Sequence, residues 1–304
     1  MTAFLVRRLC WMLVTLWVVF TVSFFLMRSV PGGPYDSERA LEPEIEANIR
    51  KEYNLDLPLS QQYWLKLRQM ASGELGSSMK KDYTVNRLVA EGLPVSAALG
   101  LLALAIAFSV GLVAGVVSAV FRGGVADVGL MAIATVGIAL PNFVVAGFAI
   151  ILFVFTLGWL PAAGWGSLEQ LVLPALCLGA PYAAYVARIA RTGMLDVLGQ
   201  DHIRTARAKG LSPFTVVAKH ALPTALLPVV SFLGPAVAGI LTGSPVIENI
   251  FAIPGLGWHF VQAAIDKDYP IAMGLVLLYT TLLYTMNLIV DLLYGVLDPR
   301  VEWR

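Results

Sequence analysis

The sequence predicts an all-α integral membrane protein with six transmembrane helices and a long loop after the first. Three observations carry this. Of the 304 residues, 58% are hydrophobic and only 13% charged, against about 25% charged in soluble domains, which leaves too little polar surface to cover the interior in water. Six runs lack Asp, Glu, Lys and Arg: 9–27, 92–121, 128–168, 170–187, 220–247 and 269–290. A bilayer core about 30 Å thick takes roughly 20 apolar helical residues, so these runs match crossings. The basic residues also segregate. With the N-terminus inside, the inner segments hold Arg7, Arg8, Arg122, Arg188, Arg191, Arg204, Arg207, Lys209, Lys219, Arg300 and Arg304, whereas the short outer loops, near 158–170 and 248–268, hold only Lys267. That asymmetry puts both termini of a multi-pass protein in the cytoplasm.

The first span, 9–28, follows Arg7 and Arg8 like a signal peptide, but its run exceeds a typical h-region and no A-x-A-like site follows. An uncleaved anchor is expected. Residues 29–92 form a long outer loop of mixed charge, which does not vote on orientation. Helices are expected there: Pro43 suits a first helical position ahead of EIEANIRKEY, and Tyr63, Leu67 and Met70 sit at helical spacing before Gly73. The second span is 93–121. The third run is read as one crossing, 129–157, with a mid-span break at Pro141-Asn142, followed by an interfacial loop with Trp159, Pro161, Gly164, Trp165 and Gly166. The fourth span, 170–188, carries Pro174 and Pro181, so its helix is either kinked or extended past Arg188. Spans five and six are placed at 225–247 and 270–292. Gly111-x-x-x-Gly115 and Gly239-x-x-x-Gly243 permit close helix packing.

Several chemistries lack their residues. There is no G-x-x-x-x-G-K-[ST] loop to cradle ATP phosphates, no H-E-x-x-H, no C-x-x-C and no G-x-S-x-G. Ser78-x-x-Lys81 matches one fragment of a penicillin-binding signature without its companions, a chance match. Cys10 and Cys177 both lie in apolar runs and read as reduced, packed thiols. His202, His220 and His259 are far apart and suit caps or interfaces better than a metal site. Asp291, at the inner end of the last span, fits a snorkelling or helix-pairing role or a place on a proton path. Net charge is +1, which offers no global field to a nucleic acid.

The segment DHIRTARAKGLSPFTVVAKHALPTALLP interrupts this apolar chain inside an inner loop, 192–223. Asp201 reads as the N-cap of a helix through Lys209, Gly210 as the left-handed residue that ends it, and Ser212-Pro213 as the start of a second helix closed by Leu222-Pro223. Ile203, Ala206 and Gly210 fall on one side of the first helix, flanked by Arg204 and Arg207, with Thr205 and Lys209 pointing away. Two readings fit: a knob of small residues that enters a groove on another protein, or a basic loop held at the anionic headgroups of membrane lipid.

Spacing separates them. Arg204-Thr205-Ala206, three residues, Gly210, nine residues, His220, Ala221 and Leu222-Pro223 resembles the cytoplasmic loop of the integral membrane subunits of ABC importers, which carries Glu-Ala-Ala, three residues, Gly, nine residues, Ile, one residue and Leu-Pro. Arg stands for Glu and His for Ile. IRTARAKGL is similar to the branch that imports peptides and nickel. FLVRRL, RSVPGGPYDSERALEPEIEANIRKEYNLDLPLSQQYWLKL, GELGSSMKKDYTV, SPVIENIFAIPGLGWHF and LYGVLDP resemble the first permease subunits of oligopeptide importers. The resemblance implies the type I importer fold of bacterial inner membranes, with 1–304 as a single transmembrane domain. It implies that Ile203, Arg204, Thr205, Ala206, Arg207, Ala208, Lys209, Gly210 and Leu211 form a coupling helix, with His220, Leu222 and Pro223 ending the loop. The helix would dock on a separate ATPase. The implied partners are a second permease subunit, one or two ABC ATPases, a periplasmic peptide-binding protein and the peptide itself. No cofactor is implied for this chain, because ATP and Mg belong to the ATPases, and the chain itself is not an enzyme. Dipeptides or nickel are the alternative cargo. A secondary transporter would need inverted repeats and intramembrane ion-coupling residues, and neither is visible.

The stretch Glu248 to Gly257, ENIFAIPGLG, combines an acid, an aromatic residue and a Pro-Gly-x-Gly turn just outside the fifth span. One reading is a capped connector. The other is a re-entrant outer-mouth loop in which Glu248, Phe251, Pro254, Gly255 and Gly257 touch a docked binding protein or shape the gate, with Glu248 drawing the peptide's amino terminus or a partner cation.

Overall fold

The computed structural model describes residues 2–29, 51, 53–241 and 244–297. The expected helix at Pro43, Gly243 of the second glycine pair and the Asp-Pro of LYGVLDP lie outside the described residues. In chain order the helices are α1 (Thr2–Ser29), α2 (Leu59–Ala71), α3 (Val85–Val120), α4 (Val125–Ala139), α5 (Asn142–Ala149), α6 (Leu168–Leu198), α7 (Asp201–Ala208), α8 (Pro213–Thr215), α9 (Leu227–Leu241), α10 (Pro245–Ile250), α11 (Leu256–Ile265) and α12 (Tyr269–Leu297). A π-helical stretch, Ile150–Thr156, continues α5, and another, Val216–Ala221, carries α8 on into the short helix Leu222–Ala225. Among the described residues four helices are long and apolar enough to cross a membrane: Phe4–Ser29, Val85–Val120, Leu168–Leu198 and Tyr269–Ile289. Two bent pairs raise the number to six if each is one span.

α3 and α6 form the centre. Half of the apolar window of α6 is buried, against 11% for α1 at the edge. Glycine sets the spacing. A Cβ on Gly111 would stand 2.5 Å from the Ala183 carbonyl, and one on Gly115 would stand 2.5 Å from that of Ala187. Gly179 answers from α6, 2.7 Å from the Ala103 carbonyl. Backbones in such contact gain packing that lipid cannot supply. α6 is continuous through Pro174 and Pro181, so its short charge-free run is completed by extension past Arg188. Its Ser167 N-cap forms a capping box with Gln170.

The third run is not one straight helix. α4 and the α5 segment meet at 114°. Pro141 has no N–H to donate, and it forces Leu140 into extended geometry (φ −85°, ψ 132°). The fifth span also ends earlier than 247: Ser244 caps a new helix, its hydroxyl accepting from Ile247 N, with Pro245 in the first turn.

α1 is fastened to α12 by a Thr15–Tyr284 hydroxyl pair at 2.7 Å and by the Arg8–Asp291 ion pair. Asp291 thus pairs helices. Cys177 is packed, whereas Cys10 faces outward on α1 and is not the packed thiol expected there; both are free. Ser78 is a buried anchor: its hydroxyl donates to Asp268 and accepts from Lys81 N at 2.9 Å, closing a turn before α3.

Candidate functional site

The basic segment folds as a sharp corner. Gln200, not Asp201, occupies the N-cap of α7, without a side-chain bond. Asp201 sits in the first turn, where its carboxylate meets the positive end of the helix dipole. The helix stops in a Schellman motif: Gly210 N donates to Arg207 O at 3.0 Å, Leu211 N reaches back to Ala206 O at 3.4 Å, and Gly210 has φ +75°. Nothing lies within 4 Å of a Cβ built on Gly210, so the glycine is required by backbone angle, not by space. Ser212 Oγ then accepts from Thr215 N at 3.3 Å with Pro213 in the first turn. Leu222-Pro223 does not close this helix. The missing Pro223 N–H is absorbed by the preceding π-helical stretch, in which Leu222 N donates to Val217 O, and the chain bends by 44° into α9.

The apolar side of α7 faces inward. Ile203 is 0% exposed and Ala206 5%, packed with Ala119 of α3, Met194 and Val197 of α6, and Val216, Ala221 and Ala225 of the return helix. This corrects the expectation that these small residues form a knob for another protein: they rivet α7 to its own chain. The face open to a partner carries Arg204, Thr205, Arg207, Ala208, Lys209 and Gly210. It continues into Leu211 and into Phe214, which is 80% exposed. The helical pattern of α7 did not mark Phe214; the signal was an aromatic residue directly after the Ser-Pro start. His220 and Pro223 are exposed and Leu222 half-buried, at the root of the return helix.

A second element stiffens this end. Arg191 of α6 grips Asp127 of α4 through two bonds, Nε to Oδ1 at 2.7 Å and NH2 to Oδ2 at 2.8 Å. Gly123 N donates to the same carboxylate at 2.8 Å, and the Ser118 hydroxyl donates to it as well. A bidentate, half-buried pair of this kind is among the stronger charge contacts. It ties the α3–α4 turn to the helix that leads into α7.

At the opposite end, the outer-mouth loop is built around its acid. Glu248 is 0% exposed. Its Oε1 accepts from Ser96 Oγ at 2.8 Å, and its Oε2 accepts from Gly257 N at 2.8 Å and Trp258 N at 3.2 Å. Ser96 in turn accepts from Leu256 N at 2.9 Å. Gly255 and Gly257 are needed for this approach: a Cβ on either would meet the carboxylate, at 2.5 and 3.0 Å. Phe251 is also 0% exposed, and its carbonyl accepts from Gly164 N at 2.9 Å. The expectation that Glu248 and Phe251 meet a peptide or a docked protein is therefore corrected. Both are spent on the chain's own packing; of the five named residues only Pro254 is exposed, beside Ala252.

Among the described residues no cluster of three or more His, Cys, Asp and Glu could hold a metal ion. What the geometry offers is mechanical: a cationic corner riveted to the central helix pair at one end, and a carboxylate-held loop at the other. The fold is that of a type I ABC importer permease. It matches inward-facing structures of the MetNI methionine ABC transporter with TM-scores of 0.58 and 0.56, at 22% identity, over 69% of this chain and 96% of that one. Residues 111–303 match the binding-protein-dependent transport system inner membrane component and residues 1–100 match the N-terminal region of such membrane components; the chain belongs to this family. It is 45% identical, over the full length of both chains, to the oligopeptide transport system permease protein OppB of Haemophilus influenzae and to that of Salmonella typhimurium. It is 44% identical to the dipeptide transport system permease protein DppB of Bacillus subtilis, over 99% of this chain and 98% of that one.

Proposed function

We propose that the chain is one half of the pore of an ATP-driven oligopeptide importer, with both termini and α7 in the cytoplasm. The observation that carries this reading is the exposed cationic face of α7, backed by Ile203 and Ala206 in a rivet that includes residues of α3 and α6. A separate ATPase that gripped Arg204, Thr205, Ala208 and Phe214 would move the ends of the two central helices with it. A packed interface of this kind transmits rigid-body motion. Two ATPases closing around ATP and Mg would bring this α7 and its counterpart on a second permease subunit together, turning the pathway from inward- to outward-facing. Hydrolysis belongs to those partners, since this chain has no phosphate-cradling loop, and a periplasmic binding protein delivers the peptide. The names of its relatives favour oligopeptides; the dipeptide relative supports the alternative cargo.

The test is uptake by proteoliposomes that hold this chain together with its co-expressed partner subunits. Labelled tri- to pentapeptides should enter only with ATP and binding protein. Uptake of dipeptides alone would transfer the reading to the alternative, and uptake that is indifferent to ATP but driven by an ion gradient would refute it.

A further inference from the structure

At the end away from the basic corner, α1, α2 and the start of α12 enclose a cavity of about 390 Å³. Two cations line it, Arg28 and Lys66, over an apolar floor that includes Phe24, Met27 and Met273. Lys66 Nζ donates to the neutral Gln69 Oε1 at 3.2 Å. Among the described residues the ion pairs engage Arg8, Lys80, Arg87, Arg191 and Arg204, and neither of these two. Burial, and then the neighbouring Arg28, push the Lys66 ammonium below its ordinary value. Among the described residues that line the cavity there is no carboxylate, and two like charges so placed are stabilised by an anion that enters it.

The depth of the cavity identifies the source of that anion. α2 is seated on α1 by Tyr63, whose hydroxyl pairs with Thr21 Oγ1 at 2.9 Å and whose ring meets those of Phe20 and Phe24 at 5.3 and 5.5 Å. Thr21 lies about 12 Å along the helix axis before Ser29, the end of α1, at 1.5 Å per residue. α2 shares this cavity with Arg28, the first charge after the charge-free run 9–27, and so reaches the level where the apolar span gives way to headgroups. It presents Trp64, 65% exposed, and Leu65, 50% exposed, beside the charges of Lys66 and Arg68, as an interfacial helix does. We propose that this cavity is a phosphate site, which takes the headgroup phosphate of a phospholipid from the leaflet on which α2 lies. Arg28 and Lys66 bind the phosphate oxygens, and Met27 and the exposed Leu65 meet the adjoining acyl carbons. The lipid then fastens α2 to α1 and α12.

Native mass spectrometry of the full chain, purified in detergent and supplied with phosphatidylglycerol or with a phosphate-free glucosyl diacylglycerol, tests this. Wild type should retain one phosphatidylglycerol in preference to the glycolipid. The double variant Arg28→Gln/Lys66→Gln should retain it at least about tenfold less, while Lys66→Arg restores retention and Arg87→Gln, an exposed cation paired with Glu91, leaves it unchanged. Displacement of the lipid by millimolar inorganic phosphate would keep the site and assign it to free phosphate; no displacement assigns it to lipid. Equal retention of phosphatidylglycerol by wild type and the folded double variant, or equal retention of the glycolipid, overturns the proposal.

Discussion

Replacing Glu248 should unfasten the outer loop, and the structure sets the size of the effect. The wild-type carboxylate accepts three hydrogen bonds, from Ser96 Oγ, Gly257 N and Trp258 N, at zero exposure. Glu248→Ala leaves all three donors unpaired and opens a void beside Gly255 and Gly257, whose missing Cβ atoms were the condition for the acid's approach. Each stranded buried donor costs about 1–3 kcal/mol, more when its partner was charged. Loss of the anion's own burial penalty offsets part of that, so the net loss is ~3–5 kcal/mol. Glu248→Gln keeps the shape and one acceptor oxygen for Gly257 N and Trp258 N. Its amide then faces Ser96 Oγ, which already accepts from Leu256 N, so one hydroxyl proton loses its acceptor, a cost of ~1 kcal/mol. Thermal unfolding of the full chain in detergent should rank wild type, Gln, Ala in falling order. Limited proteolysis should open first at the exposed Ala252 and Pro254 in the Ala variant. An Ala variant as stable and as protease-resistant as wild type would refute the carboxylate's role as the hub of this loop.

Other positions give sharper local tests. Gly210→Val forces a β-branched residue to φ +75°, at ~1–2 kcal/mol or more, and should depress transport; Gly210→Asn, which tolerates that conformation, should retain most of it, and equal activities would mean the corner does not matter. A cysteine at Phe251 should resist a bulky aqueous thiol reagent with or without binding protein, because the side chain it replaces is fully buried; a cysteine at Pro254 should label, and ready labelling at 251 would contradict the loop geometry. Gly115→Val places atoms 2.5 Å from the Ala187 carbonyl and should separate α3 from α6, with a loss of ~1–3 kcal/mol or failed assembly; wild-type stability of that variant would count against backbone contact.

Much of the fold was legible because lipid and proline leave plain marks. Charge-free runs locate the apolar helices, Pro141 breaks the third of them where an imino nitrogen must, and Gly210 and Ser212-Pro213 mark a corner that the dihedral angles and the cap reproduce. The glycines at 111 and 115 announced a close approach, although nothing in them named Ala183 and Ala187 as the partners. The site was less legible because direction is a tertiary property. The periodicity of α7 puts Ile203 and Ala206 on one side but cannot say whether that side meets another protein or Met194 of the same chain. Glu248 looks like a solvated acid in a turn-rich stretch; its donors come from Ser96, far away in sequence, and from two N–H groups beyond a proline. Asp127 and Arg191 stand 64 residues apart in sequence, and only folding brings them together.

The central claim is that the exposed face of α7 grips an ATPase while its buried face carries the motion into the central helices. Cysteine cross-linking along α7 in the assembled importer measures this most directly. Thr205→Cys and Ala208→Cys should each cross-link to the ATPase subunit, with yields that change when ATP is added, whereas Ala206→Cys, next to Thr205 in sequence but packed inside the chain, should not. Cross-linking from Ala206→Cys alone, or from none of the three in a transport-competent complex, would contradict the account.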